Sequence, residues 1–448
     1  MKINKIPKPH QKEAIQLCLQ NKKFLVCHDV GQGKSLTMLC VAYLLQKHYD
    51  IDGCIVVATN SAIRSLTNEM KNTFNDTPLS LETFQTKAKG IVFITYDEIE
   101  KLLDKFPQGR FALFLDEFHK VKDPKTTTTK LSNILKKKCV RRYGFTATPI
   151  MKDMKDLYML IKWLDPMIFS TWKKFCDDYT LYYKMNINGF EILKPYKYKN
   201  YEKLKRALKT IVHSYFPKRD ISFIKYAIPM EDIEGYRRTR DDALASTGDE
   251  KKDRALPMHA VKKCKQFVAV SNGKLQKLKE IVSSIVDTYG VVIYCDEYAT
   301  FNPVYSYLSK AGFTVLKYAG VSSKKEKDIS FEEFTKAPKG KVLLLSRVGG
   351  ASLNLQATNQ LIIFDQPSIL GNYVQCVGRC TRMDSKYKKF FIHILVTENS
   401  VEDYWYQYIT MYKEPLSRVF GNGNIPSGIP SYNEFLKKKM IKDTVWNK

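Results

Sequence analysis

The segment Gly31-Gln32-Gly33-Lys34-Ser35 lies between an apolar run, FLVCHDV (24–30), and a helix-like run, LTMLCVAYLLQ. Two glycines this close let successive backbone N–H groups turn toward one anion, and a helix starting at the lysine adds the positive end of its dipole. Such a loop cradles phosphates. Lys34 would reach the β- and γ-phosphates of a nucleotide, Ser35 would ligate Mg²⁺, and Gly31 and Gly33 would shape the loop. A strict phosphate loop has Gly six residues before the lysine, and this chain has His28 there. Further along, Phe111-Ala-Leu-Phe-Leu ends in Asp116-Glu117-Phe118-His119. An apolar strand that delivers two adjacent carboxylates fits a Walker B strand, with Asp116 on the Mg²⁺ and Glu117 orienting or deprotonating an attacking water. Together the two motifs describe an ATP hydrolase whose cofactors are ATP and Mg²⁺.

Elements of regular length must position these groups. Apolar runs at 24–30, 53–59, 90–96, 111–117 and 140–147 read as strands, as do those at 291–296, 313–319, 341–346, 360–366 and 389–396. Helix-length segments separate them, which predicts parallel sheets with crossover helices. There are two such sets, each the size of one α/β domain. Between them, residues 181–230 carry eleven Lys and Arg against three acids, with Tyr182, Tyr183, Tyr196, Tyr198 and Tyr201 interleaved. Residues 237–254 are polar and read as an exposed loop.

Composition narrows the partner. The chain has 448 residues, 44% hydrophobic and 27% charged, enough to build ordinary cores. Lys and Arg number 73 and Asp and Glu 46, a formal charge of +27. That excess points to a polyanion: nucleic acid first, an anionic membrane second. No run approaches the ~18 apolar residues of a membrane span, and the start of the chain has no apolar signal core, so a membrane role is not expected. Ten cysteines are scattered, mostly in apolar runs, with no CxxC pair. They read as reduced and buried, in a protein of the cytoplasm.

The order GQGKS, DEFH, TATP and QCVGRCTR resembles superfamily 2 helicases and translocases, and more narrowly their Swi/Snf-type branch. Pro9-His10-Gln11-Lys12-Glu13-Ala14 is similar to the family's glutamine motif, which implies that Gln11 reads the adenine edge. Asp29-Val30-Gly31-Gln32-Gly33-Lys34-Ser35, the KVKDPKTTTTK run after DEFH, and Arg142 to Ile150 match the branch as well. In the last third, Ser346 to Leu355 is similar to motif V, and Gln375-x-x-Gly378-Arg379-x-x-Arg382 matches motif VI. The resemblance covers roughly residues 8–180 and 270–405. It implies an α/β fold of two tandem RecA-like parallel-sheet lobes, residues 1–180 and 271–405. A small basic insertion (181–270) would separate them, and a basic C-terminal extension (406–448) would follow. It also implies that Gln375, Arg379 and Arg382 join Lys34, Asp116 and Glu117 in catalysis. Arginines there would neutralise charge on the γ-phosphoryl group, an effect of ~10³-fold or more.

By the same resemblance, Asn60 with Arg64, Thr95 with Tyr96, and Ser346 with Gly350 would contact a nucleic-acid backbone. Lys203 and Arg206 represent the basic insertion, whose lysines could bind phosphates and whose tyrosines could stack on bases at a fork. A solvated lysine face over a small tyrosine core fits the same residues equally well. The leading expectation is an ATP-driven DNA helicase or translocase acting on forked or branched DNA in replication, recombination or repair. Its compact plan is similar to that of phage branch-migration helicases, which would place it in the host cytoplasm. The alternatives are a duplex translocase that displaces proteins without separating strands, an RNA helicase, and a non-catalytic scaffold. The intact Lys34, Glu117, Arg379 and Arg382 argue against the last. Protein partners are not legible.

Overall fold

The computed structural model describes residues 4–187, 190–245, 256–347, 355–367, 369–382, 385–404, 406 and 413–421. It divides into two compact units. One holds the chain up to Pro217 together with the stretch from Glu414, and the other begins at Lys218.

The first unit contains β1 (Lys23–His28), β2 (Gly53–Ala58), β3 (Gly90–Thr95), β4 (Phe111–Asp116), β5 (Arg141–Thr146), a hairpin of β6 (Thr180–Ile187) and β7 (Phe190–Tyr198), and β8 (Val212–Tyr215). Its main sheet is wholly parallel, in the order β3-β2-β4-β5-β1-β8. Helices on both faces exclude water from the strands, which is why β4 reads as an unbroken apolar run: Phe111 to Leu115 have no exposure at all. Helix Lys34–His48 is buried at every position from Leu36 to Ala42, packed in a core with Phe24, Val26, Val56 and Phe114. The parallel register carries the C-terminal ends of β1, β2, β3, β4 and β5 to one edge, the usual place for ligands in such sheets.

The second unit contains β9 (Asp220–Ile228), β10 (Val291–Cys295), β11 (Thr314–Tyr318), β12 (Lys341–Ser346), β13 (Gln360–Ile363) and β14 (Lys389–Thr397). These form a second parallel sheet in the order β11-β12-β10-β13-β14-β9. Lys274 and Glu402 form an ion pair with no solvent exposure, and the Lys274 ammonium lies 4.6 Å from the centre of the Phe364 ring. All ten cysteines are free and buried. Among the described residues no helix is long and apolar enough to cross a membrane.

The division between the two compact units falls at Pro217–Lys218, inside the expected insertion 181–270. Residues 181–270 are shared out: the hairpin, helix Tyr201–Leu208 and β8 go to the first unit, and β9 with helices Ile233–Leu244 and Leu256–Ala269 go to the second. The reason is that β8 and β9 are edge strands, β8 beside β1 and β9 beside β14. Each pairs along one edge only and most of its residues are half-buried or exposed, so neither shows the apolar run of a central strand. Residues 237–244 are helical and not a loop, because the Asp232 carboxylate caps the helix by accepting from the Gly235 amide at 2.7 Å.

Candidate nucleotide and nucleic-acid sites

β1 ends at His28 and the next helix starts at Lys34, so the phosphate loop spans five residues. Gly31 has φ 77° and Gly33 φ 71°, a left-handed turn that other residues enter at a cost of about 1–2 kcal/mol. The helix has no acidic residue in its first turn to offset its positive end. Lys34 Nζ donates to the carbonyls of His28 at 3.0 Å and Asp29 at 3.2 Å, so the ammonium closes the loop on itself. Ser35 is half-buried in the first turn.

Gln11 is 3% exposed, and both ends of its amide are occupied. Nε2 donates to the Gly33 carbonyl at 2.9 Å and Oε1 accepts from the Lys8 amide at 2.8 Å. In this structure Gln11 therefore braces the phosphate loop. A Cβ on residue 33 would lie 2.2 Å from Gln11 Nε2. Gly33→Ala thus combines a strained φ with a displaced brace, and nucleotide affinity should fall at least about tenfold. A fluorescent-ATP titration checks this; an unchanged affinity would show that the loop tolerates a side chain.

A ring cluster unseen in the sequence supports the loop from below. The His10 ring stacks on Tyr215 at 3.8 Å, and His10 Nε2 lies 3.2 Å from the Gln32 carbonyl. His28 Nε2 is 2.9 Å from His213 Nδ1, and His213 Nε2 is 3.3 Å from Glu13. Burial, then the neighbouring His213, pushes the His28 pKa down to about 2, so its ring is neutral. His28, the departure from the strict glycine pattern, was the one visible sign. Its partners come from β8, 185 residues away.

Asp116 ends β4, two strands from the phosphate loop. Burial and then the Glu117 charge push its carboxyl up to about 7, while the Lys34 ammonium pulls it down. The Lys34 charge thus favours the ionised carboxylate. A hydroxyl at Ser35 and a carboxylate at Asp116 are hard oxygen donors and fit Mg²⁺, which takes one or two protein ligands and completes its shell with water and phosphate oxygens. Glu117 follows in a left-handed conformation, φ 48°. Its Oε2 lies 3.3 Å from His119 Nδ1, which is also 3.2 Å from Thr146 Oγ1 and 3.3 Å from Thr148 Oγ1. Burial holds His119 below the usual histidine range, against the pull of Glu117. DEFH and TATP are therefore one contact network.

A cavity of about 310 Å³ is lined by Thr59, Asn60, Thr95, Tyr96, Asp97, Lys120, Thr126 and Thr128. It gathers Asn60, Thr95 and Tyr96, adds Lys120 and two threonines of the KTTTTK run, and leaves Arg64 outside, exposed on helix Asn60–Phe74. Helix Tyr201–Leu208 buries Tyr201, Leu204 and Leu208 and exposes Lys203, Lys205 and Arg206. Lys203 pairs with Asp178 at 2.8 Å. Tyr198 and Tyr201 are buried, so these two belong to the core and not to a stacking surface.

In the second unit, helix Leu370–Cys380 carries Gln375 and Arg379 to a cavity of about 200 Å³, shared with Tyr294, Arg347 and Asn372. Arg379 is 8% exposed, and Arg382 lies beyond the helix end, outside that lining. Between them, Thr381 Oγ1 accepts from Arg219 at 2.7 Å and donates to the Val377 carbonyl at 2.9 Å. The Ser346 hydroxyl accepts from the Gly320 amide at 3.1 Å and is 3% exposed, which gives it a structural partner within its own unit. Gly350 lies outside the described residues.

Residues 10–269 match the SNF2-related domain and residues 273–384 the helicase conserved C-terminal domain. The chain belongs to the SNF2-related domain family, within the Swi/Snf-like branch of superfamily 2. It is similar to the human SWI/SNF-related matrix-associated actin-dependent regulator of chromatin subfamily A member 1, at 21% identity over 85% of this chain and 40% of that protein. It is also similar to the chicken DNA repair and recombination protein RAD54B, at 20% identity over 89% of this chain and 53% of that protein. The chain spans about half the length of these curated relatives or less. The Pyrococcus furiosus Hef helicase domain shares the fold, with a TM-score of 0.53 at 14% identity over 89% of this chain and 97% of that one. The two parallel-sheet lobes thus have the fold of RecA-like lobes.

Proposed function

We propose that this SNF2-family chain is an ATP-hydrolysing motor that moves on DNA. One observation carries the reading: a glycine-rich loop ending in a lysine and two adjacent carboxylates stand at the C-terminal ends of strands in one parallel sheet. In this reading Lys34 leaves the His28 and Asp29 carbonyls for the β- and γ-phosphates. Ser35 and Asp116 would hold Mg²⁺, which would neutralise phosphate charge. Glu117, aimed by its left-handed backbone and by His119, orients the attacking water. Arg379 and Arg382 are the cations that the resemblance assigns to the γ-phosphoryl charge, and Gln375 would be the neutral hydrogen-bonding partner that shares the Arg379 cavity. The +27 charge and the hydroxyl-lined cavity support DNA as the track. The test is ATP turnover with single-stranded DNA, duplex DNA, forked DNA and RNA. Stimulation by DNA is expected, and turnover indifferent to every nucleic acid would overturn the reading.

The finer reading is action on forked or branched DNA in replication, recombination or repair. The relatives' names include repair and recombination as well as chromatin regulation, so they do not choose among substrates. The exposed basic face of helix Tyr201–Leu208 supports a second grip on DNA, through phosphates and not through Tyr198 or Tyr201. Changing Lys203, Lys205, Arg206 and Lys209 to Glu should weaken DNA binding and lower the log–log salt slope by about 0.7–0.9 per lost contact. An unchanged slope in a salt titration would make this a solvated face. Strand displacement should favour forks over tailed linear DNA with equal phosphate number. Equal displacement leaves a generic translocase, and no displacement leaves the duplex translocase.

A further inference from the structure

The cavity described above does more than offer hydroxyls to a phosphate, because two of its lining residues hold the backbone of Glu117. Tyr96 follows β3, and its phenol passes the end of β2, where the strand finishes in the small side chain of Ala58. Its hydroxyl donates to the Asp116 carbonyl at 2.5 Å. That carbonyl belongs to the peptide bond preceding Glu117. On the other side, the Glu117 carbonyl accepts from the Lys120 amide at 2.9 Å. The Lys120 ammonium then returns to the cavity, 5.6 Å from the centre of the Tyr96 ring. Both peptide groups flanking Glu117 are therefore clamped by residues that line the same cavity.

A left-handed glutamate persists only where its surroundings over-determine it. Here they do, and the determinants are reachable by a ligand. Tyr96 is 7% exposed, and burial, with the Asp116 and Glu117 charges, keeps its phenol protonated, so it is always a donor. The cavity's hydroxyls at Thr59, Thr95, Thr126 and Thr128, the Asn60 amide and the Lys120 ammonium suit a backbone phosphate. The Asp97 carboxylate lines one part and disfavours an anion there.

We infer that a nucleic-acid phosphate in this cavity sets the aim of Glu117 through Tyr96 and Lys120, so that the motor senses its track within a single unit. Tyr96 is then a positioning residue: it acts through the peptide it holds. The inference rests on the DNA-motor reading above. A phosphate that draws Lys120 away from the Tyr96 ring moves the 3₁₀ turn Phe118–Val121, and with it the Glu117 carbonyl.

Tyr96→Phe removes one hydroxyl and keeps the ring. At saturating duplex DNA its kcat should fall about tenfold, the size of one buried hydrogen bond, while Kd for a fluorescent duplex stays within about twofold of wild type. Lys120→Ala keeps the backbone amide and loses the cation that couples a phosphate to the turn, so its Kd should weaken and its DNA-stimulated kcat at saturation should fall as well. In the wild type without nucleotide, duplex DNA should alter hydrogen exchange at residues 114–121. A Tyr96→Phe enzyme with full DNA-stimulated kcat, a kcat loss in that variant matched by an equal loss of affinity, or unchanged exchange at 114–121 each overturns the inference alone. A wild type whose turnover ignores DNA overturns the functional reading, and the inference falls with it.

Discussion

Lys34→Ala should abolish ATP turnover, leaving less than about one thousandth of the wild-type rate in a coupled assay at saturating DNA. The ammonium already sits inside the loop, 3.0 and 3.2 Å from the His28 and Asp29 carbonyls. Those two contacts are replaceable by water, whereas no other described cation is placed to bridge the phosphates from within the loop. The substitution also removes the charge that favours the ionised form of Asp116, so the Mg²⁺ site weakens with the phosphate site. The helix itself should survive, since alanine is the best helix former and the buried run from Leu36 is untouched. DNA binding should persist within a few-fold, because the loop lies outside the lining of the threonine-rich cavity. Turnover near the wild-type rate would show that the loop holds something other than a nucleotide.

Glu117→Gln should separate binding from hydrolysis. The amide matches the carboxylate in shape but cannot take a proton or hold a water as an anion does, so kcat should drop about 10²–10⁴-fold. Asp116 remains on β4, and losing its charged neighbour should make its carboxylate easier to ionise. ATP affinity, read by equilibrium titration, should therefore stay within a few-fold of wild type. The resulting state, nucleotide bound and uncleaved, should accumulate and hold DNA. Were nucleotide binding lost to the same degree as in Lys34→Ala, Glu117 would be a structural residue whose strained backbone merely shapes the turn.

The parts legible in the sequence share a physical cause. A parallel strand covered on both faces has no wet side, so β1, β2, β4, β10 and β12 appear as apolar runs. A loop that wraps phosphate needs glycine at positive φ, so Gly31 and Gly33 stand out. The parts that stayed hidden are long-range. The amide of Gln11 is committed to Gly33 across 22 residues, and the clamp on Glu117 joins Tyr96 to Asp116 across 20. Strand β8 reads as four unremarkable residues, yet it delivers His213 and Tyr215 to the base of the phosphate loop. The tyrosines of the basic stretch illustrate the limit. Composition alone left stacking and packing open, and the helical spacing of Tyr201, Leu204 and Leu208 places Tyr201 inside.

The buried cysteines turn this protein into its own clock. Cys18, Cys27, Cys40, Cys54, Cys139 and Cys176 lie in one unit, and Cys264, Cys295, Cys376 and Cys380 in the other. Burial pushes the thiols of Cys40, Cys139 and Cys380 up to about 12 and those of Cys18, Cys27 and Cys54 higher, so the folded chain presents almost no thiolate to an alkylating reagent. Each modification must then wait for a local opening, and its rate measures how often that opening occurs. Mass spectrometry of alkylated peptides, read with and without nucleotide or DNA, gives two independent sets of timers. They record which unit each ligand tightens, without a dye, a tag or a single substitution.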